Sequence, residues 1–423
     1  MTKLTRRQFS LLAGGGVAAT ALGMPFIARA ANPKVVVIGG GAGGGTAARY
    51  IAKDSKGAIN VTLIEPSKHY YTCFFSNLYL GGFREYGSIG HTYENMASEG
   101  VGVVHDWAEA IDRDNKVVRL ASGASVPYDR LVLSPGIDIK YDSVPGYSVE
   151  ASAKMPHAWK SGTQVQVLKA QIEAMPEGGT FVMLAPPDPY RCPPGPYERI
   201  SMIGHLLKQK NPKAKILVLD PKEKFSKQAV FQEGWERHYP GMIEWLPGSI
   251  TGAIENVDVA NMTITAGGET YKADAATVIP AQKAGAIAEK AGLTDDKGWC
   301  PIKPATMQSA MDENIHIVGD ASIASAMPKS AFAANSQAKV AANAVRGALT
   351  GSRVFPARFA NTCWSLIATN DGVKVGAAYK AGEDKIEVTS NFISKTGEAA
   401  DLRKQTYEES IGWYDGITKD IFG

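Results

Sequence analysis

Val35-Val-Val-Ile-Gly39-Gly40-Gly41-Ala42-Gly43-Gly44 is an apolar run that ends in Gly-x-Gly-x-x-Gly, with Ala48 one helical turn further on. A buried strand feeding a glycine turn and then a helix is the pattern of a dinucleotide-binding βαβ unit. The glycines have separate jobs. Gly39 permits the tight turn, Gly41 lets the backbone approach a pyrophosphate, and Gly44 lets the helix pack closely on the strand. The helix start then offers free N–H groups and partial positive charge to the phosphates. Twenty-one residues after Gly44, the next apolar strand, Val61-Thr-Leu-Ile64, ends in Glu65, placed to bond a ribose diol. A lone glycine fingerprint is a weak signal, but strand, glycines, helix and terminal acid at this spacing are specific together.

A second segment, Ile315-His-Ile-Val-Gly319-Asp320-Ala321, reads as a buried strand delivering an acid at its carboxyl end. Met327-Pro-Lys329-Ser330 follows, then a helix-like Ala331–Val345. Here the chain resembles the flavin-dependent disulfide reductase family, in which such an Asp binds the ribityl or pyrophosphate part of FAD. The resemblance implies an α/β fold: two Rossmann-like dinucleotide-binding domains plus a small C-terminal domain. It also implies that the helix after Ser330 is aimed at the flavin ring. Lys329 would help to hold the charge of reduced flavin, the alternative being a solvated surface charge.

Of the 423 residues, 44% are hydrophobic and 21% charged, ordinary values for a globular protein with room for two or three cores. Residues 1–30 read as a leader: Thr5-Arg6-Arg7-Gln8-Phe9 is a twin-arginine signal, and a Gly/Ala-rich stretch leads to a small-x-small cleavage pattern at Ala28-Arg29-Ala30. An N-terminal anchor is the alternative, disfavoured by four glycines in the apolar stretch. The leader holds four basic residues and no acid, so the formal +3 becomes 41 basic against 42 acidic residues without it. No basic excess then points to nucleic acid, and no later run predicts stable membrane insertion. A periplasmic destination is expected, where cysteines are free to form disulfides.

After the leader, the expected organisation is a first FAD segment over 31–150, a second unit over 151–275, a return to the FAD domain over 276–350 and a C-terminal segment over 351–423. The second unit should carry a glycine-rich nicotinamide loop after the strand Thr180–Leu184. It reads instead Ala185-Pro-Pro-Asp-Pro-Tyr-Arg-Cys192-Pro-Pro-Gly-Pro-Tyr197. Proline has no N–H, so this loop does not cradle a pyrophosphate through its backbone, and NAD(P) is not expected as a substrate. Asp220, at the next strand end, is then a turn cap before Pro221.

The cysteines are Cys73, Cys192, Cys300 and Cys363. None has metal spacing and there is no Cys-x-x-Cys-His, so neither a metal site nor haem on this chain is predicted. Four cysteines allow three pairings, and the sequence does not choose among them. Read locally, Cys73 could be a small buried hydrophobe, Cys192 sits at the carboxyl end of a strand where α/β sheets place ligands, and Cys300 is a buried free thiol.

Over the chain beyond the leader the sequence is similar to the flavoprotein subunit of flavocytochrome c sulfide dehydrogenase and to related sulfur-oxidation flavoproteins. The motifs are Tyr70-Tyr-Thr-Cys73-Phe-Phe-Ser-Asn77, the Cys192 proline loop, Trp299-Cys300-Pro301, Met327–Gln337 and Asn361-Thr-Cys363-Trp-Ser-Leu366. That resemblance implies FAD bound covalently through Cys73 and a redox-active disulfide between Cys192 and Cys363. It implies sulfide as substrate and a separate c-type cytochrome as acceptor, forming a heterodimer, with Trp364, Trp413 and Tyr414 lining the interface or simply packing. The rivals are a sulfide:quinone oxidoreductase, a non-catalytic redox partner of a sulfur-oxidising complex and a type II NADH dehydrogenase.

Overall fold

The computed structural model describes residues 32–160 and 162–423; the leader expected over 1–30 lies outside the described residues. The opening run forms β1 (Lys34–Ile38), which leads through Gly39–Gly41 into α1 (Ala42–Ser55) and back into β2 (Asn60–Ile64), parallel to β1. Gly39 has φ +92°, a conformation other residues rarely adopt. A Cβ on Gly44 would lie 1.8 Å from the Gly39 carbonyl oxygen, so only glycine lets α1 press on the turn. Strands β3 (Val101–Val104) and β4 (Arg130–Leu133) join the same sheet. Between them Ala108–Asp112, Val117–Leu120 and Ser125–Pro127 form an antiparallel meander.

The second unit starts at β5 (Thr180–Leu184), passes the proline loop into α2 (Gly195–Lys210), and continues through β6 (Lys215–Leu219), α3 (Gln228–His238) and β7 (Ile243–Leu246) to β8 (Ala275–Val278). These four strands make a parallel sheet of order β7-β6-β5-β8. The interiors of the two central strands, β5 and β6, are continuous apolar runs, as expected where both faces are covered. Gln282–Ala284 pairs antiparallel with Ile137–Ile139, the two chain segments that link the lobes.

Strand β9 (Ile315–Ile317) then pairs with β4 and completes the first sheet as β9-β4-β1-β2-β3. It is followed by α4 (Ala331–Thr350), capped by Ser330, whose Oγ accepts from the Ala333 N–H at 3.1 Å. The C-terminal part is a three-stranded antiparallel sheet of β10 (Arg358–Ala368), β11 (Asp371–Ala381) and β12 (Ile386–Ile393), closed by α5 (Ala400–Phe422). Two Rossmann-like lobes and a small C-terminal domain are thus present, and residues 33–423 pack as one compact unit.

Candidate functional site

Two adjoining cavities meet at Cys73 and Arg191, which line both. The larger, about 890 Å³, lies at the carboxyl ends of β1 and β2, where the wall includes Gly39, Gly40, Gly41 and Glu65 and continues past Trp107 to Lys290. That volume is within the range of cofactor sites. The Glu65 carboxylate accepts from the Gly40 N–H at 2.8 Å and the Ser67 N–H at 3.0 Å, which fixes it beside the glycine turn. Gly44 faces the other way, into the packing of α1.

Gly319 and Asp320 sit on a single 3-10 turn after β9, with Gly319 at φ +79° and its N–H held by Gln337 at 2.8 Å. Asp320 reaches the cavity wall through Arg191, whose Nη1 is 3.6 Å from Asp320 Oδ2. Arg191 Nη2 and Asp320 Oδ1 are both buried without a hydrogen-bond partner. Orphaned buried groups of opposite character beside a glycine-walled cavity are what a phosphate- and hydroxyl-rich group such as FAD would satisfy. The residues therefore fit FAD: the glycine turn and α1 for pyrophosphate, Glu65 for the ribose. Arg191 was not singled out by the sequence reading, although it is the one cation in the proline loop and immediately precedes Cys192.

Lys329 does not stand at this wall, nor is it a surface charge. Its ammonium is turned onto the carbonyls of Asp320 (2.7 Å) and Ser322 (2.9 Å) and lies 3.7 Å from the Trp299 ring centroid. Burial pushes it down to about 8, against the pull of Asp320. It braces the β9–α4 turn, and its own carbonyl accepts the Cys192 N–H at 2.7 Å.

The smaller cavity, about 80 Å³, brings together Cys73, Cys192 and Cys363 among the aromatic rings of Trp159, Phe332 and Trp364. Cys192 precedes α2 and is held at φ +59°, an uncommon conformation for a side chain with a Cβ. Cys363 lies mid-strand on β10, opposite Val375. All four cysteines are thiols in the structure, so the expected Cys192–Cys363 bond is not formed in it; the proximity of the pair is. Cys300 is buried, as expected, and burial pushes its thiol up to about 12.

Burial also raises both facing thiols. Each feels the other or a nearby acid; the Lys227 ammonium acts in the opposite direction on both, and at Cys363 the Asn361 amide, 3.4 Å from Sγ, does so too. Glu198, in the first turn of α2, also lines this cavity. Its carboxylate accepts from Asn77 Nδ2 at 2.9 Å and from the Leu366 N–H at 3.0 Å, yet burial keeps its pKa above the usual carboxylate range. A raised carboxyl beside two thiols is placed to exchange a proton with them. Sequence reading passed over it, because position 198 is one turn into a helix and nothing local marks it. Its neighbour Arg199 is wholly buried and structural, donating to the carbonyls of His157 (2.9 Å) and Ala158 (2.6 Å).

Asp220 exceeds its expected role as a turn cap. It takes the Lys222 N–H at 3.0 Å, but it is also fully buried and accepts from Tyr197 Oη (2.5 Å) and Trp245 Nε1 (3.0 Å), with Lys222 Nζ at 2.7 Å. Of the C-terminal aromatics, Trp364 and Trp413 line the thiol cavity, and Tyr414 is buried in the core, only 2% exposed, rather than on an outer face.

This chain belongs to the flavin-dependent disulfide reductase superfamily, and the pyridine nucleotide-disulphide oxidoreductase model matches residues 33–174. Within that class, residues 165–280 match the central part of the sulfide dehydrogenase (flavocytochrome c) flavoprotein chain. Residues 356–422 match the flavocytochrome c sulphide dehydrogenase flavin-binding domain. Mitochondrial sulfide:quinone oxidoreductases are similar at 22% identity (Dictyostelium discoideum) and 24% (Mus musculus), each over 68% of this chain. The chain spans 65% of the length of these curated relatives. The solved sulfide:quinone oxidoreductase from Aquifex aeolicus shares the fold at TM-score 0.68 and 17% identity, over 92% of both chains. The covalent putidaredoxin reductase–putidaredoxin complex shares it at TM-score 0.63 and 17% identity, over 89% of this chain and 94% of that one.

Proposed function

We propose that this chain is a periplasmic FAD oxidoreductase that oxidises hydrogen sulfide through Cys192 and Cys363 and passes electrons to a c-type cytochrome. The observation that carries the reading is the shared cavity: two thiols from different lobes and a tuned carboxyl face one another beside the nucleotide cavity, joined at Cys73 and Arg191. In the oxidised enzyme the two cysteines are disulfide-bonded. Hydrosulfide attacks Cys192 Sγ, the S–S bond breaks, Cys192 carries the persulfide and Cys363 leaves as the thiolate. Soft sulfur exchange of this kind depends on access and thiolate character. Glu198 accepts the proton that the incoming sulfide sheds. FAD, when bound, supplies a two-electron acceptor that releases electrons singly. Cys73, on the wall of both cavities, would be the residue that holds it covalently, and the aromatic rings of Trp159 and Phe332 keep the exchange dry.

The second reading, a sulfide:quinone oxidoreductase, is favoured by the identity of the curated relatives. One experiment separates the two. Sulfide is added anaerobically to the purified holoprotein, flavin bleaching is followed, and a c-type cytochrome or a short-chain quinone is then supplied. Bleaching with reoxidation by the cytochrome supports the proposal, and reoxidation by the quinone alone moves the acceptor. Absence of bleaching, with Cys192 and Cys363 uncrosslinked in the peptide map, overturns it.

A further inference from the structure

Lys227 is a buried lysine, 4% exposed, in a conformation lysine seldom adopts. It caps α3 at φ +63° and sends its side chain out of the central lobe into the C-terminal sheet. There Nζ donates to Ser365 Oγ at 2.8 Å and to the carbonyl of Cys363 at 3.0 Å, with the Val373 carbonyl at 3.4 Å. All three acceptors belong to the β10–β11 hairpin that carries Cys363, and none belongs to the loop that carries Cys192. Burying an ammonium is costly, and a site that tolerates the cost together with a strained backbone is a candidate for function.

The surroundings of the two thiols differ accordingly. Cys363 has the Asn361 amide at 3.4 Å, and Ser330 with Ala331, the N-terminal end of the twenty-residue α4, lines the same cavity. Helix N-termini and nearby cations both favour thiolate. Cys192 is followed by two prolines, which offer no N–H; α2 begins beside it at Gly195, but the first turn of that helix carries Glu198, whose charge opposes thiolate there. The other charged or titratable groups facing the pair are Arg191 and Arg199 on the Cys192 side, Arg403 on α5, Tyr379 on β11 and Cys73. Arg403 is committed to Asp371 at 2.6 Å, Arg191 pairs with Asp320, and Arg199 donates to the His157 and Ala158 carbonyls, which leaves Lys227 as the cation bonded to the Cys363 backbone itself.

We propose that Lys227 is a positioning residue that keeps Cys363, and not Cys192, as the thiolate when the pair is reduced. The inference rests on the proposed redox role of the pair. Two electrons and one proton convert the disulfide to one thiol and one thiolate, and the Lys227 ammonium decides which sulfur goes without the proton. It acts by its charge beside the Cys363 backbone and by locking the strand through Ser365.

The test reads thiol ionisation and not turnover. Holoprotein reduced anaerobically with a phosphine is pulsed with iodoacetamide across a pH series, and the Cys363 and Cys192 peptides are quantified by mass spectrometry. In the parent chain Cys363 is expected to react with the lower pH midpoint. Lys227→Met should raise that midpoint by about one unit or more, roughly the effect of removing an opposite charge, and move Cys192 less. Lys227→Arg should restore much of the difference. If Lys227→Met does not accumulate folded, Ser365→Ala, which removes one of three acceptors, should give a smaller shift in the same direction. An unchanged Cys363 midpoint in whichever variant folds, equal shifts at both cysteines, or Cys192 as the more acidic thiol would overturn the proposal. A pair that does not cross-link on oxidation sinks the redox reading instead, and the midpoints still report on Lys227.

Discussion

Arg191 Nη1 and Asp320 Oδ2 approach to 3.6 Å between the proline loop and the turn after β9, and a second polar atom of each, Nη2 and Oδ1, is buried without a partner. A bound flavin is the group expected to satisfy them. In a Cys73→Ser background, where no thioether is possible, Asp320→Ala should weaken flavin retention roughly 10- to 100-fold, the worth of one charge-assisted hydrogen bond. Flavin absorbance relative to protein after dialysis checks this. The parent chain should keep its colour after acid denaturation, and Cys73→Ser should release it. Release from both chains removes the covalent anchor.

Glu198→Gln should slow sulfide-dependent bleaching by roughly 10²- to 10⁴-fold, the usual range for a lost proton acceptor. In the parent chain the rate, corrected for the hydrosulfide fraction, should rise with pH through a transition above the ordinary carboxylate range, and Glu198→Gln should abolish that transition. Stability moves the other way. A carboxyl whose pKa is raised by folding favours the fold at low pH and opposes it once ionised. Thermal midpoints should therefore favour Glu198→Gln increasingly as pH rises, the trade of stability for function common at active sites.

Gly44→Ala tests the turn itself. The added methyl would sit 1.8 Å from the Gly39 oxygen and 3.2 Å from Val37 Cγ1. Strain of this kind costs roughly 1–3 kcal/mol or more, and α1 would swing off the strand. Flavin content should fall even in material that remains soluble.

Asp371 anchors the C-terminal domain. Burial alone would raise its pKa, but His238 at 2.7 Å and Arg403 at 2.6 Å more than offset that and hold it below the usual range. Its contribution is thus present at neutral pH and is lost as pH falls through the lowered value. Arg403→Met should cost about 3–5 kcal/mol at neutral pH by taking the guanidinium from a buried carboxylate, leaving it His238 and Arg237. The readout is a lower urea midpoint with a shallower decline toward acid pH, because the Asp371 pKa is then less depressed.

The strand–glycine–helix beginning at Val35 was legible because its signals are local: apolar runs, a turn only glycine can make, and an acid at a strand end. Thr180–Leu184 and the Ser330 cap were legible for the same reason. The residues missed around the thiols share the opposite character. Arg191, Glu198 and Lys227 have ordinary neighbours in sequence, and their roles appear only when α2, α3 and β10 converge from different parts of the chain. The setting of Lys329 was not legible because its acceptors are main-chain carbonyls and its platform, Trp299, lies thirty residues upstream.

The buried Asp220 has a consequence for re-engineering the central lobe. At the strand end where a nucleotide ribose would be met, Tyr197, Trp245 and Lys222 have riveted the carboxylate from three sides, and Phe225 stacks on Tyr197 at 3.6 Å to seal the head of the rivet. Replacing the loop prolines with glycines would reopen only one of two locks. A designer seeking to convert the lobe to a nicotinamide reader would have to withdraw Tyr197 as well, and that residue belongs to the same helix as Glu198. The two vocations compete for one turn of α2.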